Sequence, residues 1–202
     1  HSGISLDVTS KKAAQNAMKS AVHNFGGLDI LVSNAGAATP GALLDLPEDD
    51  LRQAFELNFF SHYAFAIEAA KLMRLQGRSG NILFNISKQA VNPGKNFGAY
   101  GLPKAASFFL MRQLALELGG DGIRVNGVNA DRIRSGLLTD DFISDRAQAR
   151  GIEDNVYMAG NLIKKEVKAA HVADAFVALA CSQRTTAHVM TVDGGNIEAA
   201  LR

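Results

Sequence analysis

The sequence predicts an α/β protein built on a parallel sheet with helices on both faces. Two observations carry that prediction. Short apolar runs alternate with longer stretches whose apolar residues recur at helical spacing, at roughly the intervals of βα units. The short runs are almost continuously apolar, as strands covered on both faces are. Composition agrees: 47% apolar and 20% charged residues over 202 residues suit one soluble domain with a sizeable core.

The elements follow in order. Residues 11–25, "KKAAQNAMKSAVHNF", place Ala14, Ala17, Met18, Ala21, Val22 and Phe25 at helical spacing, and Gly26-Gly27 ends the helix. "LDILVSNAG" (28–36) reads as a buried strand stopped by a glycine turn. "LPEDDLRQAFELNFFSHYAFAIEAAKLMRLQ" (46–76) opens with a proline and three acids, which suit a helix N-terminus. It then runs helical for about eight turns. "GNILFNIS" (80–87) is a second buried strand, 99–118 a long helix and "GIRVNGVNA" (122–130) a third strand. A helix at 171–181 and a strand "AHVMTVDGG" (187–195) close the pattern. Residues 131–168 break it, being too long and charged for a simple connection. Such excursions often form lids or binding loops, the alternative being a solvated insertion. There is no internal repeat and no low-complexity linker.

Several function classes lose support. Net charge is +1 with Lys and Arg scattered, so there is no footprint for nucleic acid or an anionic membrane surface. No apolar run approaches the ~20 residues of a membrane span. "HSGISLDVTSKK" lacks the basic-then-apolar build of a secretory signal. Cys181 is the only cysteine; it sits in the apolar "AFVALACSQ" and is expected to pack in the core. Without disulfides, a reducing compartment such as the cytoplasm is the natural setting. The five histidines show no metal-ligand spacing, and histidine catalysis has no support.

Ligands of open parallel sheets bind beyond the carboxyl ends of the strands. Polar candidates do follow the strands: Asn34-Ala35-Gly36 after the first, Ser87 after the second, and 130–135 after the third. Asn58 lies inside the 46–76 helix, where asparagine is mildly disfavoured, so it needs a hydrogen-bonding role or is there by chance. In "FGAYGLPKAASFF" (97–109), Tyr100 and Lys104 lie one helical turn apart on the same face. Tyrosine, with an ordinary pKa near 10, is no base at neutral pH, but a lysine charge beside it favours the phenolate. With a serine hydroxyl on a substrate oxygen, such a set can exchange a proton while a cofactor exchanges a hydride.

These residues resemble the catalytic set of the short-chain dehydrogenase/reductases: Asn58, then Ser87 thirteen residues before Tyr100, then Lys104 four after it. "LDVTS", "SNAG", "ELNFFSHY", "RVNGVNA" and "VDGG" match in chain order, so the resemblance covers essentially the whole chain. It implies a Rossmann-like doubly wound parallel sheet. The implied activity is NAD(P)-dependent hydride transfer between nicotinamide and a small alcohol, aldehyde or sugar-derived substrate. Tyr100 would be the general acid/base. Lys104 would lower its pKa and contact the nicotinamide ribose, Ser87 would orient the substrate oxygen, and Asn58 would hold a water in a proton relay through Lys104. Asn34, Ala35 and Gly36 would line the adenosine side of NAD or NADP, NAD slightly favoured, with Asp7 and Val8 near the adenine. Ile133 would present backbone to the carboxamide, with Ser135 beside it. Helices at 51–75 and 99–118 resemble the family's subunit-packing helices, which implies a homo-dimer or homo-tetramer.

The departures are also specific. The family's glycine-rich phosphate loop, Thr-Gly-x-x-x-Gly-x-Gly, has no counterpart here. Residues 1–202 are thus expected to be a single, N-terminally incomplete domain lacking a β-α-β-α portion of roughly sixty residues. A 3-2-1-4-5-6 sheet would lose two inner strands. Ala130-Asp131 replaces the usual Pro-Gly, followed by "RIRSG", so Arg132 or Arg134 is expected to engage a substrate anion, or else to pair with Asp131 or Asp140. Lys88 replaces a small residue after Ser87 and is a third substrate-side candidate. Pro103 is tolerable only if its helix begins close by. "NISKQAVNPGKNFGAYGLPKAA", "NADRIRSGLL", "YMAGNL" and "TVDGGNIEAALR" are similar to the C-terminal half of bacterial bifunctional aldolase/short-chain dehydrogenases of the rhamnulose-1-phosphate aldolase type. That implies a fused aldolase domain and oxidation of the aldehyde it releases. A non-catalytic assembly module and an epimerase or dehydratase of the same fold are the alternatives; Asn58 and "VDGG" favour the dehydrogenase.

Overall fold

A computed structural model describes residues 1–196; the last six residues of the quoted C-terminal ending lie outside it. Four parallel strands, β1 (Ile30–Ser33), β2 (Gly80–Asn85), β3 (Ile123–Ala130) and β4 (Val189–Val192), stand in sequence order in one sheet. The helices are α1 (Ala13–Phe25), α2 (Glu48–Phe55), α3 (Ser61–Gln76), α4 (Gly98–Leu118), α5 (Asp140–Gln148), α6 (Asp154–Met158) and α7 (Ala169–Cys181).

Alternation along the strands feeds two cores. Ile82 and Phe84 of β2 and Val125 of β3 pack against Met73 of α3 and Met111 of α4. The intervening Leu83 and Val128 pack against Ala175 and Leu179 of α7, on the other face. Helices therefore cover both faces, as expected. Met73, Ile82, Phe84 and Met111 are all within 1% of complete burial, each worth about 1.5–3 kcal/mol.

Two expectations need correction. Among the described residues the strand read as buried lies at the end of the sheet: β1 pairs there with β2 alone, and Ile30 and Val32 are nearly half exposed. Cys181 is exposed, because it ends α7 two residues past Leu179, off the core face. The 46–76 segment is helical as expected, from Glu48 to Gln76, with residues Glu56–Phe60 widened into a π-turn between α2 and α3. Pro103 falls in the second turn of α4, which starts at Gly98, so the condition of a nearby helix start is met. The 131–168 segment folds into α5 and α6 over its own cluster of Leu138, Ile143, Ala147, Tyr157 and Met158.

Candidate active site

The site gathers at the carboxyl ends of β1, β2 and β3, with the first turns of α4 packed across them. Two cavities meet there. One, of about 310 Å³, is bordered by Ser87, Lys88, Phe97 and Asp131. The other, of about 570 Å³, is bordered by Asn34, Gly36, Lys104 and Val172. Tyr100, Asn85, Ile133 and Ser135 border both, so the phenol stands at the seam.

Lys104 is 2% exposed and donates from Nζ to the Asn85 carbonyl at 2.8 Å. Its Nζ lies 5.7 Å from the centre of the Tyr100 ring. Burial pulls its pKa down from 10.5 to about 8. Tyr100 moves the other way: burial pushes its pKa up, and the Ser87 hydroxyl, hydrogen-bonded to it, opposes the rise. The net upward direction differs from the lowering that the Tyr100–Lys104 pairing implies. Desolvation outweighs the Ser87 hydrogen bond.

Asn58 explains the π-turn. Its Nδ2 donates to the Ala54 carbonyl at 3.0 Å and the Ala37 carbonyl at 2.9 Å, and its Oδ1 accepts from the Ala37 amide at 3.2 Å. Ser107 of α4 donates to the Asn58 carbonyl at 2.9 Å. The residue thus ties the loop after β1, the α2–α3 junction and α4 together. Asn34 accepts from Asn85 Nδ2 at 2.7 Å, joining the ends of β1 and β2. Ala35 approaches His62 through its backbone.

The second cavity joins an ammonium to bare backbone, features that suit a nucleotide's hydroxyls and carbonyls. Lys104 carries three N–H donors, of which the Asn85 carbonyl takes one. A Cβ on Gly36 would fall 2.8 Å from Asn58 Oδ1 and 3.9 Å from Lys104 Nζ, so bare backbone passes beside the ammonium. A third cavity, of about 810 Å³, is bordered by Asp7, Thr9, Ala37 and Asn58. Asp7 accepts from the Thr9 amide (2.9 Å) and hydroxyl (2.7 Å), which hold its carboxyl below the usual range. Val8 is half-buried and does not border that cavity.

On the substrate side the cations are largely committed. Lys88 pairs with Asp131 at 2.8 Å. Arg132, held at φ 53°, reaches Asp131 at 3.5 Å and donates to the carbonyls of Tyr157 (2.7 Å) and Gly160 (3.3 Å). Arg134 pairs with Glu166 at 2.9 Å and with Asp140. Of the two readings open for the arginines, the salt bridge is the one present here. Ser135 Oγ takes the amides of Leu137 and Leu138, shaping the turn after Ile133.

Sequence reasoning missed four participants. His62 is 1% exposed, its Nδ1 2.6 Å from Ser33 Oγ and its Nε2 without a hydrogen-bond partner. Phe97 packs its ring edge-on to Tyr100. Arg146 and Arg150 reach the substrate-side cavity from α5 and its end. Their i, i+4 spacing was a usable signal, masked by a segment that read as irregular. Among the described residues, no helix is long and apolar enough to cross a membrane.

Comparison with known proteins agrees with this geometry. Residues 1–196 match the family model described as enoyl-(acyl carrier protein) reductase. An uncharacterized oxidoreductase of Bacillus subtilis, YuxG, is 33% identical over 95% of the chain, which spans only 29% of that protein's length. A 7α-hydroxysteroid dehydrogenase structure, complexed with NADH and a 7-oxo bile acid, superposes with a TM-score of 0.79 at 30% identity, over 94% of this chain and 71% of that one. ElxO, solved with NADP bound, superposes with a TM-score of 0.84 at 25% identity, over 97% and 78%. With Ser87, Tyr100 and Lys104 gathered at the strand ends of a parallel, helix-covered sheet, the chain belongs to the short-chain dehydrogenase/reductase family.

Proposed function

We propose that this chain carries the hydride-transfer site of a nicotinamide-dependent oxidoreductase acting on a small alcohol or carbonyl compound. The carrying observation is that Tyr100 stands at the seam of two cavities with a buried lysine behind it. Bound in the second cavity, NAD or NADP would supply or accept the hydride. Lys104 and the loop at Asn34–Gly36 would hold its nicotinamide-ribose half. Ser87 and Tyr100 bond the substrate oxygen and fix the reacting carbon. In reduction Tyr100 gives its proton to the carbonyl oxygen; in oxidation it takes the hydroxyl proton as the C–H hydride departs. Burial pushes the Tyr100 pKa up, which favours the phenol as proton donor. The Lys104 ammonium favours the phenolate that donation leaves.

Titration with NADH and NADPH, followed by nucleotide fluorescence, identifies the cofactor; of the two solved relatives above, one carries NADH and the other NADP. Tyr100→Phe is then expected to lower kcat about 100-fold or more with nucleotide affinity retained. A smaller loss removes Tyr100 from the chemistry. A lid role for the 131–168 segment is supported by Phe142 of α5, which packs on Phe97 at 5.8 Å. Self-association through α3 and α4 is supported by outward Tyr63, Leu102, Phe109 and Leu116. The similarity to the aldolase/dehydrogenases supports a fused aldolase domain, and the 29% share of YuxG supports a longer protein. The lone cysteine fits a cytoplasmic setting.

A further inference from the structure

The substrate-side cavity is bordered by five cations, Lys88, Lys95, Arg132, Arg146 and Arg150, and one carboxylate, Asp131. Asp131 already serves Lys88 and Arg132. Arg146 and Arg150 are differently placed. Among the described residues neither has a carboxylate within ion-pair distance, and none of the Arg146 guanidinium donors has an acceptor. Arg150 spends one donor on the Arg146 carbonyl at 2.9 Å.

Both are nevertheless held in place. The Arg146 guanidinium carbon sits 5.0 Å over the Phe97 ring and 5.0 Å over the Phe142 ring. That of Arg150 sits 5.3 Å over Tyr157. Contacts with aromatic rings hold a guanidinium without using its N–H donors as hydrogen bonds, which leaves them for a planar or tetrahedral anion. Two like charges four residues apart repel, an arrangement that an anion between them would relieve. The acids of α5 do not supply it: Asp140, Asp141 and Asp145 lie outside the cavity lining, and Asp140 serves Arg134.

Position sets the ligand. Phe97 touches Arg146 on one side and, at 6.5 Å between ring centres, Tyr100 on the other. The free guanidinium is thus one aromatic ring removed from the phenol. We infer that Arg146, with Arg150 beside it, binds a carboxylate or phosphate carried by the substrate a few bonds from its reacting carbon. This rests on the oxidoreductase reading above and moves anion recognition from Arg132 and Arg134 to the lid helix.

The test uses the full-length protein with its preferred nucleotide and two matched pairs of alcohols: 3-hydroxybutyrate with 1,3-butanediol, and glycerol 1-phosphate with glycerol. Each acid is also titrated calorimetrically into the protein saturated with the reduced nucleotide, which cannot accept a hydride from it, so binding is read without turnover. For one acid, kcat/KM is expected to exceed that of its neutral partner about tenfold or more, and the preferred acid names carboxylate or phosphate. In Arg146→Gln/Arg150→Gln that ratio falls toward one, through KM, and the binding heat disappears; Arg146→Lys alone recovers part of both. No acid preference in the wild type, or a preference that survives the double substitution and the lysine variant alike, overturns the proposal. Acid binding that needs Arg146 without oxidation of any alcohol would instead sink the oxidoreductase reading and leave the anion site standing. Oxidation of neutral alcohols with no acid binding does the reverse.

Discussion

His62 offers a pH test of the site's foundations. It lies in α3, 1% exposed, against the Phe84 ring and Ser33 Oγ. Burial first, and the Lys104 charge second, pull its pKa from 6.5 down to about 3, with the Ala35 backbone opposing. Between those two values the unfolded chain holds a proton that the folded chain refuses. Stability is therefore full above pH 6.5 and is lost as pH falls from 6.5 toward 3. The full linkage is about 4–5 kcal/mol, of which about 2 kcal/mol has gone by pH 5. Carboxylates of ordinary pKa titrate mostly below that point. Urea unfolding at pH 7.5, 6 and 5, for wild type and His62→Gln, isolates the effect, since glutamine still offers Ser33 an acceptor but cannot titrate. The stability difference between the two proteins is expected to shift by about 2 kcal/mol in the variant's favour between pH 7.5 and 5. Parallel pH dependences would refute the reasoning, showing that His62 is either hydrated or already protonated when folded.

Two further outcomes follow from the same neighbourhood. Gly36→Ala drives a methyl into Asn58 Oδ1, so it is expected to cost about 1–3 kcal/mol in urea unfolding and to weaken nucleotide binding in fluorescence titration. Lys104→Met removes a buried ammonium whose pKa is near 8 when folded, against about 10.4 when unfolded. The unfolded lysine holds its proton longer, so wild-type stability rises with pH between 8 and 10.4, by about 3 kcal/mol. The methionine variant should lose that rise in alkaline unfolding curves, and lose turnover with it.

Much of this was legible because it is periodic. Apolar runs and helical spacing located every strand and long helix, and the Ser87, Tyr100, Lys104 spacing put the site at the strand ends. What escaped depended on neighbours brought together by the fold. Nothing within "LDILVSNAG" says whether a strand lies on its other side, so β1 read as buried although Ile30 and Val32 are open. Cys181 shares an apolar helix with Leu179, and only the direction of α7 over the sheet decides which of them faces it. Asn58 was flagged as out of place, but the π-turn it supports depends on Ala37, twenty-one residues away. The short helices α5 and α6 read as irregular because each buries only part of a small cluster that forms when they meet.

The costs within the site also bear on whether it is a site at all. Around Lys104 the chain buries an ammonium with no ion-pair partner among the described residues, leaves His62 Nε2 without a hydrogen bond there and widens a helix at Asn58. Each of these lowers stability, and a module kept only for assembly would gain by replacing Lys104 with an apolar residue. Local rules of folding are broken in this way chiefly where function requires it. The breaks gather around Lys104, whose cavity Tyr100 also borders. Scattered over α1 or α7 they would have been ordinary imperfections. Gathered there, they weigh against the assembly-module reading.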